Sequence, residues 1–329
     1  MKRLGSDSQA GNLKPSNSQT VMGVVVRKDH PEALALAGKL SDWCERRGIK
    51  LFAGVEPERT VAVHGIDGIA LSDLCVKCNV ICSLGGDGTL ISCARFSGEA
   101  CPIFVGVHFG TLGFLTEITP RELLAVLDRV VGLVDTPPTT VARELSTRSL
   151  FTVSIIRDGV PRHATQSLND VVILKGAKSK LIDIDVHAGV QPVMRLRSDG
   201  LIIATPTGST AYSMAAGGPI IEPSIAAMVL TPICPHSLTS RPLVLGTEAE
   251  LSITLPFGSG PFAPGSRTSG RVFAIIDGVE TIELEARDSV VVAEAPHRAR
   301  FFRTQAASYF EALRRKLHWN APNEGSTER

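Results

Sequence analysis

Four short apolar runs, Val21 to Val26, Ile49 to Phe52, Val80 to Leu84 and Ile103 to Val107, are separated by segments with helical or loop patterning. A strand that is apolar at nearly every position needs cover on both faces, the situation of a parallel sheet between layers of helices. The intervening residues supply that cover. Pro31 suits the first turn of a helix running through Leu34, Leu40 and Trp43, and Gly48 suits its C-terminal cap. Thr119-Pro120-Arg121-Glu122 reads as a capping box with proline at the first helical position, opening a helix that ends near Gly132. Residues 21–140 are therefore expected to form an α/β domain with a parallel sheet.

Past Pro137-Pro138, which reads as a linker, the texture changes to strands with turn signals: Phe151 to Ile156, the turn Asp158-Gly159, Asp170 to Leu174, and Leu181 to His187. A mainly β domain is expected over residues 141–295, with a Gly/Pro/Ser loop around 258–270 as a mobile hairpin tip. Beyond Pro296 the pattern turns helical, with Tyr309, Phe310, Leu313 and Leu317 on one face, so 296–329 is expected to be a C-terminal helix packing back on the first domain. A length of 329 residues fits two domains, and there is no internal repeat.

Residues 1–20, rich in Ser, Asn, Gln and Gly, read as a disordered tail without the apolar run of a secretory signal. No apolar run reaches the roughly 20 residues of a membrane span. The seven cysteines, an odd number, fit a reducing compartment better than a disulfide framework, so a soluble cytoplasmic protein is expected. Cys75-x-x-Cys78 with Cys82 nearby could bind zinc, but without a second CxxC the plainer account is buried thiols on a helix end and a strand. A formal charge of +1 gives no general attraction to nucleic acid or to an anionic membrane, so any phosphate ligand must be bound by local geometry.

Such geometry is offered by Ser83-Leu84-Gly85-Gly86-Asp87-Gly88-Thr89-Leu90. Backbone N–H groups between a strand and a helix form an anion site, and Gly85, Gly86 and Gly88 let phosphate oxygens approach with no Cβ in the way. No Lys-Ser/Thr pair follows, as a Walker A loop needs, and Ile91 stands where a dinucleotide fingerprint needs its last glycine. Asp87 would repel a phosphate. A carboxylate there would accept a proton from an attacking hydroxyl or hold a Mg²⁺ bridging phosphate oxygens, and both point to phosphoryl transfer. The alternative is that Asp87-Gly88 is merely a tight turn.

A second cluster runs Ser198-Asp199-Gly200 through Thr205-Pro206-Thr207-Gly208-Ser209-Thr210-Ala211-Tyr212-Ser213. Here a strand enters a turn dense in hydroxyls that could serve a ribose or phosphate, and Tyr212 could stack on a base or simply pack. A third is Asn169-Asp170 at the head of an apolar strand, where an amide beside a carboxylate can hold ribose hydroxyls or open the strand as a turn.

Together the three clusters resemble the NAD kinase family, in which GGDGT, an Asn followed by Asp or Glu, and TPTGSTAYS occur in this order. The likeness extends from about Val21 to the C-terminal helix and includes Gly110 to Thr116 and Pro235 to Val244. GGDGT also occurs in lipid kinases and phosphofructokinases; TPTGSTAYS is far more specific. The resemblance implies an α/β nucleotide-binding domain, a β domain that binds NAD, and a cleft between them. It implies transfer of the γ-phosphate of ATP, or of inorganic polyphosphate, to the 2′-hydroxyl of the adenosine ribose of NAD with Mg²⁺ present. Homo-oligomers are usual in such a family.

Carried over by position, Asp87 matches the proton acceptor, Gly85, Gly86, Gly88 and Thr89 the nucleotide loop, and Asn169 and Asp170 the ribose-binding pair. Arg197 and Asp199 precede the hydroxyl-rich turn, Thr210, Ala211, Tyr212, Ser213, Met214 and Ala215 match the NAD-binding turn, and Lys180 aligns in a segment without landmarks. One departure is Asp277-Gly278-Val279 where many members read Asp-Gly-Gln, so a glutamine contact is replaced or dispensable. A kinase of NADH or of a lipid head group, and a nucleotide-binding regulator without turnover, are the rival expectations.

Overall fold

A computed structural model of the chain describes residues 20–56, 59–137, 144–177, 179–256, 271–304 and 309–319. The expected tail, the expected boundary at 140/141 and the loop around 258–270 lie outside the described residues. The apolar runs form parallel strands: β1 (Val21–Val26), β2 (Lys50–Val55), β3 (Asp67–Ala70), β4 (Val80–Gly85) and β5 (Ile103–His108). Four helices cover them, α1 (Pro31–Glu45), α2 (Leu71–Lys77), α3 (Asp87–Ala94) and α4 (Leu123–Gly132).

Strand alternation divides the apolar side chains between two cores. Met22, Val24 and Val26 of β1 face Leu36 and Leu40 of α1 and Leu127 of α4, while Val25 joins Leu74 of α2 and Leu90 of α3 on the other side. Pro31 opens α1, and His30 caps it by accepting the Ala33 N–H at Nδ1 over 3.3 Å. Gly48 adopts φ +65°, the left-handed conformation that ends a helix at low cost. In the expected capping box, Glu122 Oε2 accepts from both the N–H and the hydroxyl of Thr119, at 2.9 and 2.6 Å. Cys75 on α2, Cys78 just past its end and Cys82 on β4 are all buried, and burial pushes the Cys78 thiol up to about 12.

Next comes β6 (Leu145–Arg148), then a sandwich of two antiparallel sheets. Its strands are β7 (Phe151–Arg157), β8 (Val160–Ser167), β9 (Asp170–Lys175), β10 (Ile182–Ala188), β11 (Gln191–Ser198) and β12 (Gly200–Ala204). They are followed by β13 (Ala227–Ile233), β14 (Leu243–Gly246), β15 (Leu251–Thr254), β16 (Val272–Ile276), β17 (Glu280–Leu284) and β18 (Asp288–Glu294). One sheet has the order β11-β10-β15-β18-β7-β8 and the other β14-β13-β12-β9-β16-β17. Their inner faces meet through residues such as Val153, Ile184 and Ile253 against Val171, Ile203 and Ile276.

The segment beyond Pro296 departs from the expected helix. It begins with β19 (Ala299–Phe302), which pairs parallel to β5 and antiparallel to β6 and so extends the first sheet to the order β3-β2-β1-β4-β5-β19-β6. Arg300 disguised this strand. Its buried guanidinium donates to the carbonyls of Cys101 and Thr136, so a charged residue occupies a strand position that periodicity reads as surface. The helix α6 (Tyr309–Lys316) follows, with Ala312 and Leu313 buried. Tyr309 Oη donates to the Ile221 carbonyl of the β-rich part, and Lys316 lies over the Phe114 ring of the α/β part. Among the described residues no helix is long and apolar enough to cross a membrane.

Candidate active site

In the first sheet the strand order turns back between β1 and β4: β2 and β3 lie to one side, β4 and β5 to the other. Outside the carboxyl ends of the strands at such a switch point, the departing loops diverge and leave a crevice. Arg27 and Lys28 follow β1 there, and Gly86 and Asp87 follow β4. A cavity of about 470 Å³ is bordered by Arg27, Lys28, Arg59, Gly86, Gly88 and Thr89, with the N-terminus of α3 in its wall. Cations and a helix N-terminus in one wall make an anion site. Gly85 serves packing, because a Cβ there would meet the Thr89 side chain, whereas Gly86 and Gly88 leave open space where a Cβ would stand.

Asp87 is held from across the crevice. Its Oδ1 accepts from the N–H groups of Leu115 and Thr116 and the Thr116 hydroxyl, at 3.2, 3.0 and 2.8 Å. Among the described residues its Oδ2 accepts only the Phe114 N–H, at 2.7 Å, with the Lys316 ammonium 3.9 Å away. The simple Asp-Gly turn is thus not what the carboxylate makes: it organises the segment from Gly113 to Thr116, and a Cβ on Gly113 would overlap Asp87 Oδ1. Gly110 to Thr116 is among the segments that carry the family likeness, and in the fold it holds Asp87 in place.

The second and third clusters form one corner. Asp277 accepts the Ser167 hydroxyl and the N–H groups of Leu168, Asn169 and Asp170 at 2.7 to 3.1 Å. The Thr205 N–H donates to the Asn169 carbonyl at 2.8 Å, and a Cβ on Gly208 would collide with that same carbonyl, so the hydroxyl-rich turn is seated directly on Asn169. Burial, and then the neighbouring Asp277, pushes the Asp170 carboxyl up from 3.8 to about 7. Burial raises the Asp277 carboxyl too, but the four donors that converge on it oppose that rise, so Asp277 is the better placed of the two to hold the charge.

Between corner and crevice lies a cavity of about 260 Å³ bordered by Asp87, Asn169, Thr207, Thr210, Ala211 and Lys316. It adjoins another of about 330 Å³, where Asp170 and Tyr212 stand with apolar walls from Val172, Leu174 and Ile275. Tyr212 is 44% exposed, so its ring is open to a flat ligand.

Other anticipated residues lie elsewhere. Ser213 is buried and shares a 2.8 Å hydrogen bond with the Thr231 hydroxyl, while Met214 and Ala215 continue the short helix α5 (Tyr212–Ala215) away from these cavities. Asp199 adjoins Gly200 at the far end of β9 and β12, where Gly200 pairs with Leu174 while Ala204 pairs with Asp170, roughly 13 Å apart along the strands at about 3.3 Å per residue. There Asp199 pairs with Lys175 at 3.2 Å. Arg197 on β11 pairs with Asp183 of β10, and Lys180 just precedes β10. Arg27, Arg59, Gly113, Asp277 and Lys316 line or hold the site without having been singled out for it. The strand-end position of Arg27 is a signal the sequence offers; Asp277 lies in the Asp-Gly segment that the family likeness picks out without a role for the carboxylate, and Lys316 has no signal beyond residue type. Among the described residues no group of three or more His, Cys, Asp or Glu could hold a metal.

The family models for the ATP-NAD kinase N-terminal and C-terminal domains match residues 69–132 and 168–304. An NAD kinase of Geobacter sulfurreducens is 37% identical over 298 residues, covering 91% of this chain and 98% of that protein. Two solved structures share the fold at 22% identity: yeast NADH kinase complexed with NADH, with a TM-score of 0.77 over 93% of this chain and 90% of that one, and an NAD kinase from Archaeoglobus fulgidus in complex with ATP, with a TM-score of 0.65 over 91% and 99%. Motifs, fold and relatives agree, and the chain belongs to the NAD kinase family.

Proposed function

We propose that this chain phosphorylates the 2′-hydroxyl of the adenosine ribose of NAD with the γ-phosphate of ATP, giving NADP and ADP. The observation that carries this reading is the cavity shared by Asp87, Asn169, Thr210 and Ala211, which joins all three motifs beside an anion-binding crevice. In it, Arg27, Lys28, Arg59 and the N-terminus of α3 hold the donor phosphates, and Gly86 and Gly88 give them room. Asn169 and Asp170 bind ribose hydroxyls, Thr210 and Ala211 line the sugar, and Tyr212 with the apolar wall takes a base.

Asp87 Oδ2 has the freer lone pairs and accepts the proton as the hydroxyl oxygen attacks the γ-phosphorus. The bond to the β,γ-bridging oxygen breaks, ADP leaves, and the proton passes to solvent. Little covalent help is needed, so alignment and charge placement supply most of the rate.

The ATP-dependent family implies a divalent cation, and we take it to be Mg²⁺. The residues fit an ion brought on the phosphates rather than one caged by protein: Asp29, Thr89 and Ser92 are the oxygen donors in the phosphate cavity. Bound there, the ion would neutralise phosphate charge. Seven free cysteines accord with a reducing, cytoplasmic setting. A homo-oligomer would reconcile the remote positions of Lys180, Arg197 and Asp199 with their anticipated contact to NAD, if a second copy brings them to the cleft.

The test offers labelled ATP with Mg²⁺ and, in parallel, NAD, NADH and a diacylglycerol. The reading expects label on NAD at the 2′-position; label on the lipid alone, or on none, would overturn it.

A further inference from the structure

Asp87 and Lys316 are the two residues shared by the 260 Å³ cavity on the ribose side and a polar cavity of about 320 Å³ that also contains Arg27, His30 and His108. The 320 Å³ cavity shares Arg27 and Gly86 with the 470 Å³ phosphate cavity, so a phosphoryl presented from there to the ribose side comes against Asp87 and Lys316. The carboxylate is engaged by four donors and needs nothing more to be held in place. The ammonium is different. It lies 3.9 Å from Asp87 Oδ2, beyond hydrogen-bond reach, and 4.2 Å from the Phe114 ring centroid. Among the described residues no acceptor hydrogen-bonds to it, so its three donors are uncommitted.

Docking of α6 does not account for this placement, because the helix is anchored through buried Ala312 and Leu313 and the 3.2 Å bond from Tyr309 to Ile221. The aromatic face supports a cation without consuming its N–H groups. A dianionic phosphoryl brought against Asp87 meets like charge, and an ammonium beside both groups offsets it as charge shifts to the leaving oxygen.

We propose that Lys316 is a catalytic residue: its ammonium donates hydrogen bonds to the transferring phosphoryl in the transition state, and the C-terminal helix exists in the site to deliver it. This deepens the reading given above and rests on it.

The experiment compares the wild-type chain with Lys316→Met and Lys316→Arg, measuring NADP formation, NAD binding by calorimetry and thermal unfolding. Wild-type turnover of NAD with ATP is the prerequisite; its absence would count against the kinase reading itself. Given that turnover, Lys316→Met is expected to lose on the order of 10²- to 10³-fold in kcat, with NAD affinity changed less than about threefold. Lys316→Arg, which keeps a cation, is expected to recover at least about tenfold of that loss. A Lys316→Met rate within about twofold of wild type, or Met and Arg variants equally impaired with unfolding temperatures lowered together, would assign the lysine to packing and overturn the proposal.

Discussion

Asp87 shows how one carboxylate can shape a loop and take part in chemistry. Replacing it by Asn removes the charge and also turns an amide N–H toward the Phe114 N–H, so Asp87→Asn is not a silent change of shape. We expect kcat to fall on the order of 10²- to 10⁴-fold while ATP still binds in calorimetry, with a lowered unfolding temperature from the loosened Phe114–Thr116 segment. Near-normal turnover would confine the acid to holding that segment. Partial rescue by excess Mg²⁺ would instead favour a metal-holding role. Asp170 gives a pH prediction. Its proton is favoured by the fold, the carboxyl being raised from 3.8 to about 7 by burial and then by Asp277. The stabilisation from the neutral acid is complete below about pH 3.8 and is lost as pH rises toward 7. Asp170→Asn, neutral throughout, should therefore unfold at a higher temperature than wild type at pH 8, with the gap narrowing as pH falls toward 5. Melts that run parallel across that range would refute the buried, protonated Asp170.

The glycine-rich loop and the hydroxyl-rich turn were legible because their chemistry is written in consecutive residues: glycines at a strand end, then hydroxyls after another strand. What holds them was not. Asp277 reaches back more than a hundred residues to the backbone of Leu168 to Asp170, and a backbone N–H has no residue code to read. Strand β19 was missed for a related reason, since buried Arg300 satisfies its charge on carbonyls that only the fold brings near. Gly113 belongs with these hidden supports. In Gly113→Ala the added carbon would overlap the Asp87 carboxylate and the Thr116 hydroxyl, forcing the Gly110 to Thr116 segment outward. We expect kcat to drop at least as much as KM for NAD rises, with circular dichroism unchanged. Wild-type kinetics in Gly113→Ala would mean that this segment is free to shift without cost to the site.

At the scale of the molecule, the site exists because the chain returns to its first sheet after completing the sandwich. The return seats β19 beside β5 and lets α6 set Lys316 near Asp87. Two arginines bind the halves at the corner's support: Arg59 donates to the Gly278 carbonyl at 3.1 Å and Arg95 pairs with Glu280 at 2.7 Å. The turn that fixes Asn169 is thereby tied to the crevice that receives phosphate. Pattern alone distinguished an α/β part from a β part, while the distribution of Lys180, Arg197 and Asp199 away from the cleft depended on strand register that no local pattern carries. The most direct measurement is NADP formation by the purified full chain with NAD, ATP and Mg²⁺, detected by an NADP-specific dehydrogenase. The account predicts NADP in proportion to enzyme, with equimolar ADP. ADP without NADP, or no reaction while a different acceptor is phosphorylated, would contradict it.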